Sequence, residues 1–252
     1  GRTVADMALL LGVMRSAEVS ADPVPTTPRV AFSPDLGDLP VDPPVRAATA
    51  RTVDALADAG WEVVEACPDL TGADRCFEDL RGLFQTFHMA PLVDDERVKA
   101  TARYEIRLGL SLDADRIAAA VATEGRIRSD WDRFFVEGQF DAFLSPTTQV
   151  SPFPIGMEWV DEIDGVSLDH YTHWMRSCSR ITVTGAPSAS LPAGFTDGGL
   201  PIGIQFAGRR HGDAALVALL AAAEEVFGTA PAPDIGALAT LDPKTLPPGP
   251  LG

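Results

Sequence analysis

Lysine, cysteine and positive charge are all scarce in this sequence. Lysine occurs only at Lys99 and Lys244, and 20 Lys plus Arg face 36 Asp plus Glu, a formal net charge of −16. Binding to a phosphate backbone relies on clustered cations that release counterions. The longest basic run here is Arg209-Arg210, so nucleic acid is excluded as a partner. The three cysteines, Cys67, Cys76 and Cys178, form an odd set without Cys-x-x-Cys spacing. A chain of this size does not need disulfides, and a reducing, cytoplasmic setting is expected. The longest apolar stretches, 7–14 and 214–223, fall short of the ~20 residues that cross a bilayer, so no membrane partner is expected. The start, Gly1-Arg2-Thr3-Val4, lacks both an initiator Met and the charged-then-apolar order of a signal peptide. It reads as an interior piece of a longer chain.

The common catalytic signatures are missing too. There is no Gly-x-Ser-x-Gly nucleophile elbow, no phosphate-binding Gly-x-x-x-x-Gly-Lys loop and no Gly-x-Gly-x-x-Gly dinucleotide turn. No internal repeat is visible.

What is present is an ordinary folded composition, 46% hydrophobic and 22% charged over 252 residues, enough for one or two domains with a sizeable core. Thr3 and Asp6 form a weak capping box ahead of apolar residues at helical spacing (Val4, Met7, Ala8, Leu11, Met14), which predicts a helix to about Arg15. Pro23, Pro25 and Pro28 mark 17–28 as a Pro-rich linker. A strand over 29–33, a helix opening at Asp42-Pro43 and ending at Gly60, and a strand over 61–64 read as strand, helix, strand, the unit of a parallel pair. Residues 71–138 are mostly helical, with one apolar face on Phe77, Leu80, Leu83, Phe84 and Phe87 and another on Ile117, Val121, Ile127, Trp131 and Phe134. A strand over 140–144, ended by Ser145-Pro146, precedes two more at 188–191 and 202–207 that bracket Gly198-Gly199 as a hairpin. The helix 212–227 buries Leu216, Leu219, Leu220 and Ala223. The class is therefore α/β, a mixed sheet covered by helices.

Candidate chemistry outside these elements is thin. His170 and His173, with Asp169 and Cys178 nearby, admit a metal-site reading or a Cys178 nucleophile activated by His173. The plainer reading is packing, since paired histidines at a helix start and a lone cysteine in apolar surroundings usually serve the core. His88 and His211 read as structural, and Asp94-Asp95-Glu96 as a solvated helix end.

The densest signal is Thr184-Gly185-Ala186-Pro187-Ser188-Ala189-Ser190-Leu191-Pro192-Ala193-Gly194-Phe195 followed by Gly199-Leu200-Pro201-Ile202-Gly203-Ile204-Gln205-Phe206-Ala207-Gly208-Arg209. It resembles the C-terminal half of the amidase signature family. Two earlier blocks agree in order: Arg2 to Ala8 resembles the helix after that family's signature region, and Asp141 to Thr148 resembles its Asp-x-x-Leu-x-Pro-Thr strand and turn. The resemblance implies an amide hydrolase in which a neutral lysine draws a proton through a cis-serine and a second serine attacks the amide carbonyl, forming an acyl-enzyme that water cleaves. In the family these groups lie upstream of the matched blocks. This chain has no adjacent serine pair, and neither lysine matches the family position.

The resemblance thus implies that residues 1–228 are the C-terminal part of an amidase domain and 229–252, with six of the 21 prolines, a Pro-rich tail. The expected function is the downstream portion of an amidase, inactive alone, acting on a small-molecule amide with a missing N-terminal amidase segment as its partner. No catalytic residue, cofactor or metal is expected in the chain. Positions in the matched blocks that would line a substrate channel are Thr147, Thr148, Trp174, Cys178 and Thr184. A non-catalytic binding or partner module and an amidotransferase-type subunit portion are the alternatives, and a homodimer stays open.

Overall fold

The computed structural model describes residues 1–17, 19, 23–229 and 236. Residues 18 and 20–22 of the expected linker, and 230–235 and 237–252 of the expected tail, lie outside the described residues. The chain opens with α1 (Val4–Arg15), and the capping box is complete. Thr3 Oγ1 accepts from the Asp6 N–H at 3.0 Å, while Asp6 accepts from the Thr3 N–H at 3.3 Å. Each bond satisfies a donor that a helix start would otherwise leave orphaned.

Next come β1 (Arg29–Phe32), α2 (Pro43–Asp58) and β2 (Glu62–Glu65), with the two strands parallel in the register Arg29↔Glu62 to Phe32↔Glu65. The expected buried stripe on α2 is present at Val45, Ala48, Thr52 and Leu56. Asp42 precedes α2 but does not cap it with its side chain. Its carboxylate instead accepts from the Ser151 N–H at 3.3 Å, which ties the helix start to the segment beyond the central strand.

Three helices follow: α3 (Ala73–Met89), α4 (Ala100–Leu110) and α5 (Ala114–Gly138). The expected apolar face of α3 is covered only in part: Phe77 and Leu80 pack against the core. Phe84 and Phe87 are 61% and 79% exposed, and the buried positions are Ala73, Cys76, Asp79 and Gly82. The reason is a close backbone crossing. A Cβ added at Gly109 of α4 would strike the Gly82 carbonyl, so the two helices meet at glycine rather than at the phenylalanine stripe. The polar residues on that face are matched: Asp79 accepts from Arg116 at 2.5 and 3.0 Å, and Glu105 accepts from Arg81 at 2.8 Å and from Gln85 at 3.3 Å. On α5 the stripe is buried at Ile127 and Trp131, whereas Val121 faces outward.

The central strand β3 (Ala142–Pro146) runs through the Ser-Pro pair expected to end it. Pro146 sits at the last position, opposite Ile204, where the loss of one N–H costs the sheet little. Two short strands, β4 (Glu162–Ile163) and β5 (Val166–Ser167), form a small hairpin. The segment after it is a 3-10 turn, Tyr171–Met175, rather than the helix expected around the two histidines, and it leads into α6 (Arg176–Thr184). Gly185, at φ +68°, provides the left-handed residue that ends α6. The last strands, β6 (Ser188–Phe195) and β7 (Pro201–Ala207), form the expected antiparallel hairpin, and α7 (Asp213–Phe227) closes the described fold. Strand β6 passes four residues beyond its expected end because Pro192 lies on an edge, with an irregularity between Pro192 and Phe195.

The five strands stand in the order β2-β1-β3-β7-β6. The first three are mutually parallel, and β7 and β6 alternate in direction, giving the mixed sheet the sequence predicts. Side chains alternate across it. Val30, Leu144, Phe206 and Leu191 face a core shared with α1, α2 and α7. Ala31, Phe143 and Ala207 face a second core shared with α3, α5 and α6, centred on Trp131, Phe135 and Ile127. Trp131 is fully buried, and its indole N–H donates to the Gly208 carbonyl at 3.0 Å.

Candidate functional site

The second core covers only part of its face of the sheet. Along β3, β7 and β6 the side chains on that face change from apolar to small and polar as the rows approach the edge. The first row is Phe143, Ala207 and Ser188, and the second is Ser145, Gln205 and Ser190. The third is Thr147, Gly203 and Pro192, joined by the Thr147 N–H donating to the Gly203 carbonyl at 3.1 Å. The result is a shelf of hydroxyls beside the N-terminal turn of α6.

Gly203 shapes this shelf. A Cβ there would lie 2.6 Å from Ser190 Oγ and 2.9 Å from Thr147 Oγ1, which is closer than real Cβ contacts come. Its absence lets the two hydroxyls bond to each other at 2.7 Å. From α6, Ser177 Oγ and Cys178 Sγ both donate to the Thr147 carbonyl at 2.9 Å. Gln205 Nε2 donates to the Ser177 carbonyl at 3.5 Å. Ser145 Oγ is buried beneath the shelf with no hydrogen-bond partner.

The expected positions are distributed unevenly. Thr147 and Cys178 meet directly. Thr148 is adjacent, with its hydroxyl turned to the Val150 carbonyl at 2.9 Å. Trp174 belongs to a separate cluster with Val150, Ile163 and Leu168, edge-on to Phe153 at 5.4 Å. Thr184 is fully buried at the far end of α6, donating to the Ile181 carbonyl at 2.7 Å and accepting from the Ala186 N–H at 3.2 Å, so its hydroxyl is used within the helix end. The sequence reading missed Ser177, Ser190, Gly203 and Gln205. The local signal of the last three is the two-residue alternation of Ser188-Ser190 and Gly203-Gln205, and Ser177 has none.

The shelf has hydroxyls and a thiol but no base. Among the described residues no carboxylate, imidazole or amine hydrogen-bonds to Thr147 Oγ1, Ser190 Oγ or Cys178 Sγ. Burial pushes the Cys178 thiol above its ordinary range, which keeps it protonated and poorly nucleophilic at neutral pH. The considered partner, His173, is engaged elsewhere. Its Nε2 faces Glu78 at 3.2 Å and its Nδ1 accepts from the Asp169 N–H at 3.3 Å. His170 is placed by Thr172, whose hydroxyl meets its Nδ1 at 3.0 Å and Glu78 at 3.2 Å, and its ring lies on Tyr104 at 4.1 Å. Burial holds both imidazoles below their ordinary pKa. No group of three or more His, Cys, Asp or Glu among the described residues is arranged to hold a metal ion. No described helix is long and apolar enough to cross a membrane.

A hydroxyl shelf on a mixed sheet offers hydrogen bonds of the kind a carbonyl or amide takes, and no base hydrogen-bonds to its hydroxyls among the described residues. The amidase family model matches residues 2–217. The chain belongs to the amidase family. It is 27% identical over 251 residues to an acylamidase of Rhodococcus erythropolis, covering 89% of this chain and 51% of that protein. It is 32% identical over 240 residues to an indoleacetamide hydrolase of Bradyrhizobium japonicum, covering 87% and 50%. A solved amidase structure superposes with a TM-score of 0.77 at 21% identity, over 88% of this chain and 51% of that one, which shows the shared amidase signature fold. The chain spans about half the length of the curated relatives it matches.

Proposed function

We propose that this amidase-family chain is the downstream portion of an enzyme that hydrolyses a carboxylic amide to an acid plus ammonia or an amine. The nucleophilic serine, the cis-serine and the lysine are supplied by an upstream segment. The lysine takes the serine proton through the cis-serine, and the serine oxygen bonds to the amide carbonyl carbon. The C–N bond then breaks, with the proton passing to the leaving nitrogen, and water cleaves the acyl-serine. In this reading the chain's own residues bind and orient. Thr147 and Ser190 offer hydroxyl hydrogen bonds toward the substrate, while Cys178 and Thr148 contribute to the wall of the pocket.

The observation that carries the reading is the contrast between family membership and the shelf itself. Among the described residues the hydroxyls there have no base, and the sequence has neither an adjacent serine pair nor a lysine in the expected place. The test is hydrolysis of a panel of aryl and aliphatic amides by the 252-residue chain and by the chain extended upstream in its native reading frame. Activity confined to the extended form supports the reading. Turnover by the 252-residue chain overturns it and redirects attention to Cys178.

A further inference from the structure

Asp42 stands where α2 would take a cap, yet its side chain does not cap the helix. A capping oxygen accepts from the second or third N–H of a helix. The second position here is Pro44, which has none. The carboxylate is thus available for another contact, and it joins three hydrogen bonds that run between 40–42 and 149–151. The Asp42 N–H donates to the Gln149 carbonyl at 2.8 Å, Gln149 Nε2 donates to the Pro40 carbonyl at 3.1 Å, and the Ser151 N–H donates to the Asp42 carboxylate at 3.3 Å.

Gln149 is fully buried, and its Oε1 has no partner among the described residues. A buried acceptor without a donor costs stability. Turning the amide over would set its oxygen against the Pro40 carbonyl. An apolar side chain of the same size would fill the position without that cost, so the bond to Pro40 is what the amide adds.

The tie holds the outgoing end of β3. Pro146 is the last residue of β3 paired with β7. The next residue, Thr147, gives its hydroxyl to Ser190 at 2.7 Å and its carbonyl to Ser177 and Cys178 at 2.9 Å. Helix α6 packs on one face of the sheet and α2 on the other. Segment 147–151 is therefore gripped by α6 at its start and by the approach to α2 at its end.

We infer that Asp42 and Gln149 are positioning residues of the shelf. They fix 147–151 so that the Thr147 and Thr148 hydroxyls meet substrate at one height and angle, on which a hydrogen bond depends. The inference rests on the function proposed above, in which those hydroxyls face the substrate. Loosening the tie weakens binding and spares the chemical step, whose nucleophile lies elsewhere.

Cys178 reports on the tie independently of activity, because its thiol is bonded to the Thr147 carbonyl. Maleimide labelling of the 252-residue chain, resolved by peptide mass spectrometry, compares Asp42→Ala with Asp42→Asn, whose amide oxygen still accepts from Ser151. Gln149→Met is the second probe should Asp42→Ala fail to fold. The inference expects Cys178 to label about tenfold faster in Asp42→Ala and in Gln149→Met, and at the parent rate in Asp42→Asn. Buried Cys76 should stay unreactive throughout. Unchanged Cys178 labelling in the folded variants overturns the tie. So does a parallel rise at Cys76, which marks general loosening, or failure of Asp42→Asn to restore the parent rate. In the chain extended upstream in its native frame, Asp42→Ala should raise KM about threefold or more and leave kcat within about twofold. An extended parent that hydrolyses amides, with KM unmoved in Asp42→Ala, overturns the positioning role and leaves the amidase reading standing. An extended parent without activity overturns that reading, and with it the substrate-facing role, while the labelling still decides whether the tie holds the segment.

Discussion

Thr147 and Ser190, 43 positions apart in the chain, hydrogen-bond through their hydroxyls at 2.7 Å over the bare backbone of Gly203. This contact joins the end of β3 to β6 across the intervening strand β7 and creates the polar shelf. It also defines what a substitution there must do.

Gly203→Ala places a methyl where both hydroxyls now approach, so it should destabilise the chain by about 1–3 kcal/mol, the usual cost of overpacking. Ser190→Ala removes one hydroxyl and one hydrogen bond, a loss of about 1 kcal/mol. Because the nearest clash at position 203 is with Ser190 Oγ, the double variant should lose less than the sum of the two single losses. Urea denaturation of the four proteins measures this coupling, and strict additivity would contradict the packing described for Gly203.

Arg180 is the buried clamp of α6. Its guanidinium donates to both oxygens of Asp74 at 2.8 Å, to Asp38 at 2.5 Å and to the Leu36 carbonyl at 3.0 Å. Arg180→Met should cost about 3 kcal/mol or more, because it removes the buried cation between Asp74 and Asp38 and leaves the Leu36 carbonyl without its donor, with Arg176 the one cation still paired with Asp74 among the described residues. Arg180→Lys should recover little of this, since an ammonium cannot reproduce the two parallel bonds to Asp74. Thermal or urea unfolding checks both variants, and near-native stability of Arg180→Lys would contradict the clamp.

The two histidines make the segment before α6 sensitive to acid. Burial is the main cause that lowers both from the ordinary value of 6.5. Around them, Glu78 of α3 and Glu105 of α4 favour protonation of His170, whereas Arg81 and the neighbouring His173 oppose it. Glu78 and Asp169 favour protonation of His173, and Arg176 opposes it. A depressed folded pKa means the unfolded chain binds protons first as pH falls. The stability from the neutral imidazoles is therefore intact above pH 6.5 and is lost as pH drops through the lower folded values. Intrinsic fluorescence of Trp159 and Trp174, read with unfolding midpoints from pH 7.5 to 5, should show this decline. His170→Gln should flatten it, and an unchanged slope in that variant would count against the assignment.

The elements legible in the sequence are those whose signal is local. The capping box at Thr3 and Asp6, the Pro43 start of α2 and the buried stripe of α7 each lie within a few residues, and all are present as read. The β6–β7 hairpin was legible for the same reason, because Gly198 and Gly199 sit between its strands. The α3 stripe held at Phe77 and Leu80 but misled at Phe84 and Phe87, because a backbone crossing at Gly82 and Gly109 determines the contact there, and a glycine leaves no trace in an apolar periodicity. The shelf was half legible. The family resemblance pointed to Thr147 and Cys178, but Ser190 and Gly203 join them only through the register of three strands, which no local pattern encodes. Thr184 sits in the matched block yet uses its hydroxyl inside the helix end, so proximity in sequence did not become proximity in space.

Cys178 gives a further check on where the chemistry resides. Its thiol is held protonated by burial and is bonded to the Thr147 carbonyl. Cys178→Ala in the extended chain should therefore leave kcat within a few-fold of the parent, with any change falling on KM. A loss of several orders of magnitude in kcat would instead mark it as the nucleophile.

The central claim is that the acyl-enzyme forms on a serine outside these 252 residues. The direct measurement is intact-protein and peptide mass spectrometry after treatment with a serine-directed fluorophosphonate, on the chain alone and on the chain extended upstream. The account predicts one adduct in the extended form, mapped to an upstream serine, and none on the 252-residue chain. A stoichiometric adduct on Ser177, Ser190 or any other serine of this chain would contradict it.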